Sequence, residues 1–443
     1  MVNYFDCKYL TLVGNVQSGK THEELNYVYA SINNSLPVIF LLRNITADQL
    51  QLVSRIREYN QTMEFSIKHK ILSHGSIQEI AASMQENCVV ILLCNRFQLY
   101  KMREVLKVYQ GDYNVCIDEV DFSIKTKTLR SQTDLLLEQI KKGANHVLGA
   151  TATPVAVFTS QPDLCKIVKL KPGKNYKSLN QLNINFVDNC VSNDPRSDQK
   201  TIKEIYLSLL QQPKSVLLHS VTKKRRNHAL LMNYISGLFP DFTVITYNGD
   251  GIRVLCKKRP DLPFTNQKGL NKYHQNILRY NILENGVHLF QNYSIAEVLQ
   301  ILVDDFYPHT HISIIAGNLA SRGVSFVSTD YSLHLTDQYF STGPKTHGEN
   351  YLQSLRILGC YNDTLPLTLW CSERTWKFIL QHNKLINDIV ENVNNDKNWL
   401  STLKNIIVSR PDTPLTRPRL TTKFRKISND HFALGLEESD DES

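Results

Sequence analysis

Short apolar runs alternate with segments of helical periodicity through the first half of the chain. The runs lie at residues 10–13, 37–42, 88–93, 114–117 and 146–149. Because they lack a polar alternation, they are typical of strands that are covered on both faces of a parallel sheet. Between two of them, Leu50, Val53 and Ile56 recur at helical spacing within residues 47–59, which predicts a crossover helix. The pattern predicts an α/β domain over residues 1–188.

The alternation starts again after a polar, turn-rich stretch at residues 189–200, which we interpret as a linker. A second α/β domain is therefore expected over residues 201–374. Residues 250–292 are long and mixed in charge, and we interpret them as an insertion in this domain. The apolar runs of the domain lie at residues 215–219, 242–246, 312–316 and 366–370, and residues 294–306 have one apolar helical face.

The last part of the chain, residues 375–443, is expected to be helical at first and disordered at its end. The disorder is expected because the sequence becomes basic and proline-rich around Arg417-Pro418-Arg419 and then finishes in an acidic run. We therefore predict a helical C-terminal extension that is followed by a tail.

Composition narrows the class of protein without identifying it. Of 443 residues, 42% are hydrophobic and 21% are charged, which is ordinary for folded domains. The net charge of +8 permits a polyanionic partner but is modest for a chain of this length. The nine cysteines include no C-x-x-C pair, and no apolar run is long enough to span a membrane. We therefore expect a soluble intracellular protein, cytoplasmic or nuclear, with reduced cysteines and no membrane partner.

The sequence GNVQSGKT follows the first apolar run and has the pattern G-x-x-x-x-G-K-T. Its residues are Gly14, Asn15, Val16, Gln17, Ser18, Gly19, Lys20 and Thr21. In such a loop, backbone N–H groups surround the phosphates of a nucleotide, the lysine contacts the β- and γ-phosphates, and the threonine hydroxyl binds Mg²⁺. A chance glycine turn is the alternative. The preceding strand and the following helical pattern favour a site for a nucleoside triphosphate.

An acidic motif, D-E-x-D, follows the apolar run at residues 114–117. Asp118 is expected to bind the same Mg²⁺ as Thr21, and Glu119 is expected to polarise the water that attacks the nucleotide. A solvated acidic turn is the alternative for this motif alone. The motif and the phosphate-binding loop support each other, because both follow strands of the predicted parallel sheet.

Two hydroxyls follow the next apolar run, where Thr151 and Thr153 lie in the sequence GATATP and are suited to hydrogen-bond the acidic motif. The order of phosphate-binding loop, D-E-x-D and T-A-T resembles that of superfamily 2 helicases and translocases. This resemblance implies two tandem RecA-like domains, ATP as the nucleotide, Mg²⁺ as the metal and a nucleic acid as the partner, with DNA slightly favoured over RNA. It also implies that Thr151 and Thr153 couple hydrolysis to domain movement.

The resemblance also implies contacts to the nucleic-acid backbone at strand ends. In the first domain the matching positions are Arg43 and Arg96, and in the second domain they are Lys223 and Gly317. For the charged side chains, a solvated surface position is the alternative.

Two segments of the second domain resemble motifs V and VI of the superfamily. The first is ASRGVSF, which contains Arg322, and the second has a Q-x-x-R pattern formed by Gln353 and Arg356. The resemblance implies that Arg356 is an arginine finger for the γ-phosphate, with Gln353 beside it and Arg322 as a second candidate. The exposed face of an amphipathic helix is the alternative for Gln353 and Arg356. Because the usual Q-x-x-G-R-x-x-R is not met, the pattern is closer to the Z1-type branch and to helicases of large DNA viruses and phages.

These motifs predict an ATP hydrolase, namely a superfamily 2 helicase that couples hydrolysis to translocation along, or unwinding of, DNA or RNA. A second hypothesis is a nucleic-acid-stimulated ATPase that translocates without separating strands, since no wedge element can be named. A third hypothesis, from another class, is an ATP-dependent binding or assembly module with little turnover, which the altered motif VI would permit.

Overall fold

The chain forms two compact units in a computed structural model. The first comprises residues 1–172 together with the chain from residue 381, and the second comprises residues 173–380. The structure describes residues 2–64, 66–123, 132–154, 157, 166–187, 199–220, 225–257, 280–283, 287–290, 293–306, 311–317, 324–340, 348–361 and 365–395.

The first unit is built on a seven-stranded sheet in which every strand pair is parallel. Its elements are β1 (Tyr9–Val13), α1 (Lys20–Asn33), β2 (Val38–Leu42), α2 (Thr46–Asn60), β3 (His69–Ile71), α3 (Ile77–Gln85), β4 (Val89–Leu93), α4 (Arg96–Tyr109), β5 (Asn114–Ile117), α5 (Val120–Ser123), α6 (Gln132–Gly143), β6 (Val147–Thr151) and β7 (Lys166–Lys169), with a short 3₁₀ helix at Leu72–His74. The strand order is β3-β4-β2-β5-β6-β1-β7. Strands β2, β4, β5 and β6 are buried along their whole length, which confirms the parallel sheet covered on both faces.

Helix α1 packs on this sheet through one buried face, which carries Lys20, Glu24, Tyr27, Val28 and Ser31. The Oγ of Ser31 accepts a hydrogen bond from Nδ2 of Asn114 (3.0 Å), the first residue of β5. Because a crossover helix runs opposite to the parallel strands that it connects, the first two turns of α1 lie toward the carboxyl end of β5. The polar members of this face are therefore carried to the edge of the sheet where the acidic motif follows β5.

The second unit is built on a nine-stranded mixed sheet. Its elements are β8 (Tyr176–Lys177), β9 (Leu182–Phe186), α7 (Gln199–Leu210), β10 (Val216–Ser220), α8 (Arg225–Leu238), β11 (Phe242–Asn248), β12 (Gly251–Cys256), β13 (Tyr280–Leu283), β14 (Val287–Phe290), α9 (Ile295–Phe306), β15 (His311–Ala316), β16 (Asp337–Phe340), α10 (Gly348–Gln353), β17 (Gly359–Cys360) and β18 (Leu367–Cys371), with a 3₁₀ helix at Leu179–Gln181. The last described helix, α11 (Glu373–Asn395), begins in this unit, and its residues from 381 onward belong to the first unit. The strand order is β13-β14-β12-β11-β15-β10-β16-β18-β9, and β8 pairs separately with β17. The predicted strands at 215–219, 242–246, 312–316 and 366–370 are confirmed as β10, β11, β15 and β18.

The division between the units differs from the predicted boundary at residue 188. Strand β9 pairs in parallel with β18 over Leu182–Phe186, so residues 173–187 belong to the second unit. The local pattern predicts strands but cannot show which of two sheets a strand joins, because that depends on a partner far along the chain. Of the predicted linker, residues 189–198 lie outside the described residues, and residues 199 and 200 begin α7.

The segment interpreted as an insertion contributes to the second sheet. Strands β12, β14 and β13 pair in antiparallel order and extend the sheet beyond β11. These strands make the segment part of the second sheet, and its interpretation as an insertion in the domain stays a prediction; residues 258–279 lie outside the described residues. The predicted C-terminal helix is present as α11, and residues 396–443, with the predicted tail, are also outside. Among the described helices, none is long and apolar enough to cross a membrane.

Candidate nucleotide site and nucleic-acid contacts

The GNVQSGKT loop connects the end of β1 with the start of α1. The N–H of Gly14 donates to the carbonyl oxygen of Thr151 at the end of β6 (3.1 Å), which fixes the loop against the neighbouring strand. Gly19 caps α1 with a φ of 92°, a left-handed conformation that glycine adopts without a steric penalty. A Cβ on Gly14 would lie only 2.7 Å from Oγ of Ser18. The conformation of the loop therefore requires a glycine at position 19, and at position 14 a side chain would force Ser18 to move.

Polar groups of the loop point inward. The Nζ of Lys20 is buried and donates to the carbonyl oxygens of Asn15 (2.9 Å) and Gly14 (3.3 Å). The Oγ of Ser18 is also buried and has no hydrogen-bond partner among the described residues. A buried hydroxyl without a partner costs free energy, and a phosphate oxygen would supply the missing acceptor. The loop has the donors and the shape that a triphosphate requires.

The acidic motif lies at the carboxyl end of β5, in the middle of the sheet. The N–H of Asp118 donates to the carbonyl oxygen of Leu41 in β2 (3.1 Å). Glu119 is buried and has a φ of 51°, which is uncommon for a residue other than glycine and occurs often at functional sites. Desolvation raises the pKa of Asp118, and Asp48 raises it further, whereas Arg43 and Lys20 lower it. The influence of Lys20 on this pKa places the acidic motif beside the phosphate-binding loop.

The second aspartate of the motif, Asp121, holds the T-A-T segment. Its Oδ1 accepts a hydrogen bond from Oγ1 of Thr151 (2.8 Å), and its Oδ2 accepts one from Oγ1 of Thr153 (3.0 Å). The Thr153 N–H also donates to Oγ1 of Thr151 (2.9 Å), and all three side chains are buried. The predicted contact between the threonines and the acidic motif is confirmed. Sequence reasoning did not single out Asp121, although its place in D-E-x-D could have indicated it.

The oxygen donors near the loop fit Mg²⁺. The hydroxyl of Thr21 lies in the first turn of α1, and the carboxylate of Asp118 lies at the end of β5; hard oxygen ligands of this kind suit Mg²⁺, which also keeps several waters. Arg55 of α2 donates a hydrogen bond to Oγ1 of Thr21. In the part of the chain that the structure describes, no group of three His, Cys, Asp or Glu side chains could hold a metal ion directly. A Mg²⁺ would therefore depend on Thr21, Asp118, the phosphates and water.

A further acidic residue, Glu24, lies on the buried face of α1 and was missed by sequence reasoning. It is fully buried, and neither carboxyl oxygen has a hydrogen-bond partner among the described residues. Burial raises the pKa of Glu24 well above its ordinary value, with Asp118 as the next cause, while Lys20 lowers it. The signal in the sequence is the spacing of four residues from Lys20, which puts both side chains on one face of a helix.

The two candidate nucleic-acid contacts of the first unit have different surroundings. Arg43 is buried, and its Nε and Nη2 each donate to the carboxylate of Asp48 at 2.7 Å. Such a bidentate pair is strong and holds the guanidinium inside the unit, so the predicted backbone contact of Arg43 stays a prediction without support from its burial. Arg96 is exposed at the start of α4, immediately after Asn95, whose Nδ2 donates to Oδ1 of Asn44 (3.0 Å). This bond joins the loops that follow β2 and β4.

Exposed aromatic residues accompany Arg96 on α4. Phe97 is 85% exposed and Tyr100 is 52% exposed, and both were missed by sequence reasoning. The guanidinium of Arg103 lies 4.5 Å from the centre of the Tyr100 ring. We call Arg96, Phe97, Tyr100 and Arg103 the α4 patch. It combines positive charge with flat apolar faces.

In the second unit, motif VI is buried. Gln353 and Arg356 are 2% and 5% exposed, so the alternative of an exposed helix face is wrong. Nε and Nη2 of Arg356 donate to the carbonyl oxygen of Val324 (2.9 and 2.7 Å), and its Nη1 donates to the carbonyl oxygen of Gln353 (3.0 Å). Arg356 therefore joins the motif VI segment to Val324, which belongs to the ASRGVSF segment.

The other predicted residues of the second unit are only partly described. Gly317 directly follows β15, at the carboxyl end of a strand, as the sequence predicts. Arg322 and Lys223 lie outside the described residues. Their predicted roles as a second finger candidate and as a phosphate contact stay predictions.

Comparison with known proteins concerns the fold. No protein-family model and no curated protein matches the chain. The DUF1998 helicase MrfA, solved with DNA and AMPPNP, matches 85% of this chain and 48% of its own length at 12% identity, with a TM-score of 0.51. The chain therefore shares a fold of two RecA-like domains with this structure. Dbp5 of S. cerevisiae, bound to RNA and ADP BeF3, matches with 12% identity over 84% of this chain and 81% of its own, with a TM-score of 0.48. A DEAD box protein from Methanococcus jannaschii matches with 14% identity over 85% of each chain and a TM-score of 0.42.

Proposed function

We propose that this chain is an ATP-dependent nucleic-acid motor of the superfamily 2 type, which couples ATP hydrolysis to translocation along, or unwinding of, DNA or RNA. The observation that carries the proposal is the joining of the phosphate-binding loop, the acidic motif and the T-A-T segment at one edge of the sheet. Gly14 bonds to Thr151, and Thr151 bonds to Asp121. A change in the acidic motif can therefore be transmitted to the T-A-T segment through hydrogen bonds.

Each residue of the nucleotide site has a distinct role in this proposal. Backbone N–H groups of the loop and the ammonium of Lys20 bind the phosphates, and Thr21 and Asp118 hold Mg²⁺. The metal supplies positive charge that neutralises the charge developing on the phosphate oxygens. Glu119 orients the attacking water and accepts its proton. Because Glu119 is buried, this water reacts in surroundings of low polarity, where a fixed carboxylate acts more strongly.

The α4 patch supports a nucleic acid as the partner. Aromatic faces on which bases stack, together with arginines that contact phosphates, are the usual elements of a surface for single strands. Arg96 belongs to this patch, and Gly317 is a candidate for backbone approach in the second unit. MrfA was solved with DNA and Dbp5 with RNA. We infer DNA as the first substrate to test. We also propose that the chain belongs to the Z1-type branch of the superfamily, on the basis of its ASRGVSF segment and its Q-x-x-R pattern.

The decisive experiment is the ATPase rate with no nucleic acid, with single-stranded DNA, with single-stranded RNA and with duplex. We expect stimulation by a single strand in wild type and no hydrolysis in Lys20→Ala, with the circular dichroism spectrum of the variant unchanged. Strand displacement with the stimulating nucleic acid then separates a helicase from a translocase. ATP turnover by Lys20→Ala at the wild-type rate would refute the assignment of the nucleotide site.

A second candidate function is an ATP-dependent binding or assembly module with little turnover. The observation that favours it is the engagement of the Arg356 guanidinium with carbonyl oxygens of its own unit, which leaves the finger role without direct support. This candidate predicts tight ATP binding and no stimulation by any nucleic acid. The same ATPase panel distinguishes it from the motor.

A further inference from the structure

The carboxyl group of Glu24 is the buried group whose surroundings in the structure are least complete. Both of its oxygens are buried, and neither has a hydrogen-bond partner among the described residues. A buried carboxyl group without partners costs several kcal/mol, or else it must be neutral. Burial does raise its pKa, but a neutral carboxyl group still has a donor and an acceptor that need partners. Within the described residues nothing satisfies Glu24, so a ligand of the neighbouring nucleotide site is the partner that its chemistry indicates.

The position of Glu24 indicates what this partner is. Ser31, two turns further along α1, bonds to Asn114 at the start of β5, so Glu24 lies level with the end of that strand. The charges that act on Glu24 are Asp118, Lys20, Glu119 and Arg55, in that order. These are the residues around the proposed metal and phosphates. Glu24 therefore lies next to the proposed nucleotide site, on the buried face of the helix that follows the phosphate-binding loop.

Direct binding of the metal by Glu24 is not indicated. In the described residues no three acidic, histidine or cysteine side chains are grouped closely enough to hold an ion. Mg²⁺ loses its waters reluctantly and commonly keeps several of them in protein sites. A carboxylate beyond ligand distance can accept hydrogen bonds from those waters, and such outer partners orient the ligands of the metal.

We propose that Glu24 is a positioning residue for the nucleotide-bound Mg²⁺, and that its carboxylate accepts a hydrogen bond from a water of the metal. The inference rests on the proposed nucleotide site and adds a residue to it. Thr21 and Asp118 remain the protein ligands. Glu24 would orient this water and so strengthen the part of nucleotide binding that depends on Mg²⁺.

Equilibrium binding of a fluorescent ADP analogue, with Mg²⁺ and with EDTA, tests this role without any measurement of turnover. In Glu24→Gln we expect the Mg²⁺-dependent gain in affinity to fall about tenfold or more, the usual effect of removing an outer partner of a metal. Affinity in EDTA should stay within about twofold of wild type, because phosphate contacts do not involve Glu24. The matched control is Glu23→Gln, which changes the same charge one residue away, where Glu23 accepts a hydrogen bond from Tyr4 (2.6 Å).

A second variant tests a purely structural role. Glu24→Leu fills the same buried space on α1 with an apolar side chain, so its melting temperature should equal or exceed that of wild type. Its Mg²⁺-dependent gain should nevertheless be lost. A normal Mg²⁺ response in either variant, or an equal loss of affinity with and without Mg²⁺, overturns the role of Glu24. Failure of the wild-type protein to bind the nucleotide at all would instead refute the proposed function, and the inference with it.

Discussion

Replacing Thr151 with valine should destabilise the first unit more than replacing Thr153 with valine. Valine keeps the shape of threonine and removes its hydroxyl. Thr153→Val removes the hydrogen bond to Oδ2 of Asp121 (3.0 Å). Thr151→Val removes the bond to Oδ1 of Asp121 (2.8 Å) and also the acceptor of the Thr153 N–H (2.9 Å).

The magnitudes follow from the burial of these groups. A hydrogen bond to a carboxylate is worth about 1.5–3 kcal/mol, and a buried N–H left without an acceptor costs about 1–3 kcal/mol. Thr153→Val should therefore cost about 1.5–3 kcal/mol, and Thr151→Val about 2.5–6 kcal/mol. Asp121→Asn combined with each valine variant should be less destabilising than the sum, because both changes remove the same bond.

Urea unfolding followed by circular dichroism measures these differences, provided that the dependence on denaturant is unchanged. The reasoning is refuted if Thr153→Val is as destabilising as Thr151→Val, or if both lie within about 0.5 kcal/mol of wild type, the usual range for surface substitutions. The proposed coupling role adds an expectation for function. Thr153→Val should keep basal ATP hydrolysis and lose most of its stimulation by nucleic acid. Unchanged stimulation would leave Thr153 with a structural role alone.

Three further predictions concern Arg356, His219 and the α4 patch. Arg356→Gln should lower the free energy of unfolding by about 2–4 kcal/mol, because the carbonyl of Val324 loses both of its donors; unchanged stability with abolished hydrolysis would instead favour the finger. Burial lowers the pKa of His219 to about 3. As the pH falls below about 6.5, the unfolded state therefore binds a proton that the folded state does not bind. The free energy of unfolding should then decrease by about 1.4 kcal/mol per pH unit. In His219→Leu the slope measured by urea unfolding between about pH 6 and pH 4 should be smaller by this amount, and an equal slope would contradict the assignment. Phe97→Ala should weaken binding of a fluorescent single strand by about 1–3 kcal/mol, the worth of one stacked base. Val108→Ala, at a residue 52% exposed near the other end of α4, is the control, and equal effects of the two would exclude stacking on the α4 patch.

Much of the nucleotide site could be predicted from the sequence because its chemistry is local. Eight consecutive residues form the phosphate-binding loop, and their glycines have the conformations that the loop needs. The acidic and T-A-T motifs each follow an apolar run, and the carboxyl ends of parallel strands lie at one edge of a sheet. A prediction of a parallel sheet is therefore enough to predict that these motifs lie close together.

The state of individual polar side chains could not be predicted in this way. Arg43 has the sequence context of a surface contact, yet it is buried with Asp48. The sequence around Arg356 and Gln353 also fits an exposed helix face, and the burial of Arg356 depends on its hydrogen bonds to the carbonyl oxygen of Val324, 32 residues away. Glu24 carries no motif at all. Burial of a polar group depends on partners that the fold brings from distant parts of the chain.

The sequence by itself determined the parallel sheet of the first unit, the triphosphate loop and the acidic motif, because each depends on neighbouring residues. The tertiary structure alone decided that β9 joins the second sheet and that the 250–292 segment extends it with antiparallel strands, since strand pairing is a choice between distant partners. The tertiary structure also decided which buried charged side chains have hydrogen-bond partners within the protein. It placed the guanidinium of Arg356 on the carbonyl oxygen of Val324 in the ASRGVSF segment, and it left the carboxyl group of Glu24, beside the acidic motif, without a partner among the described residues.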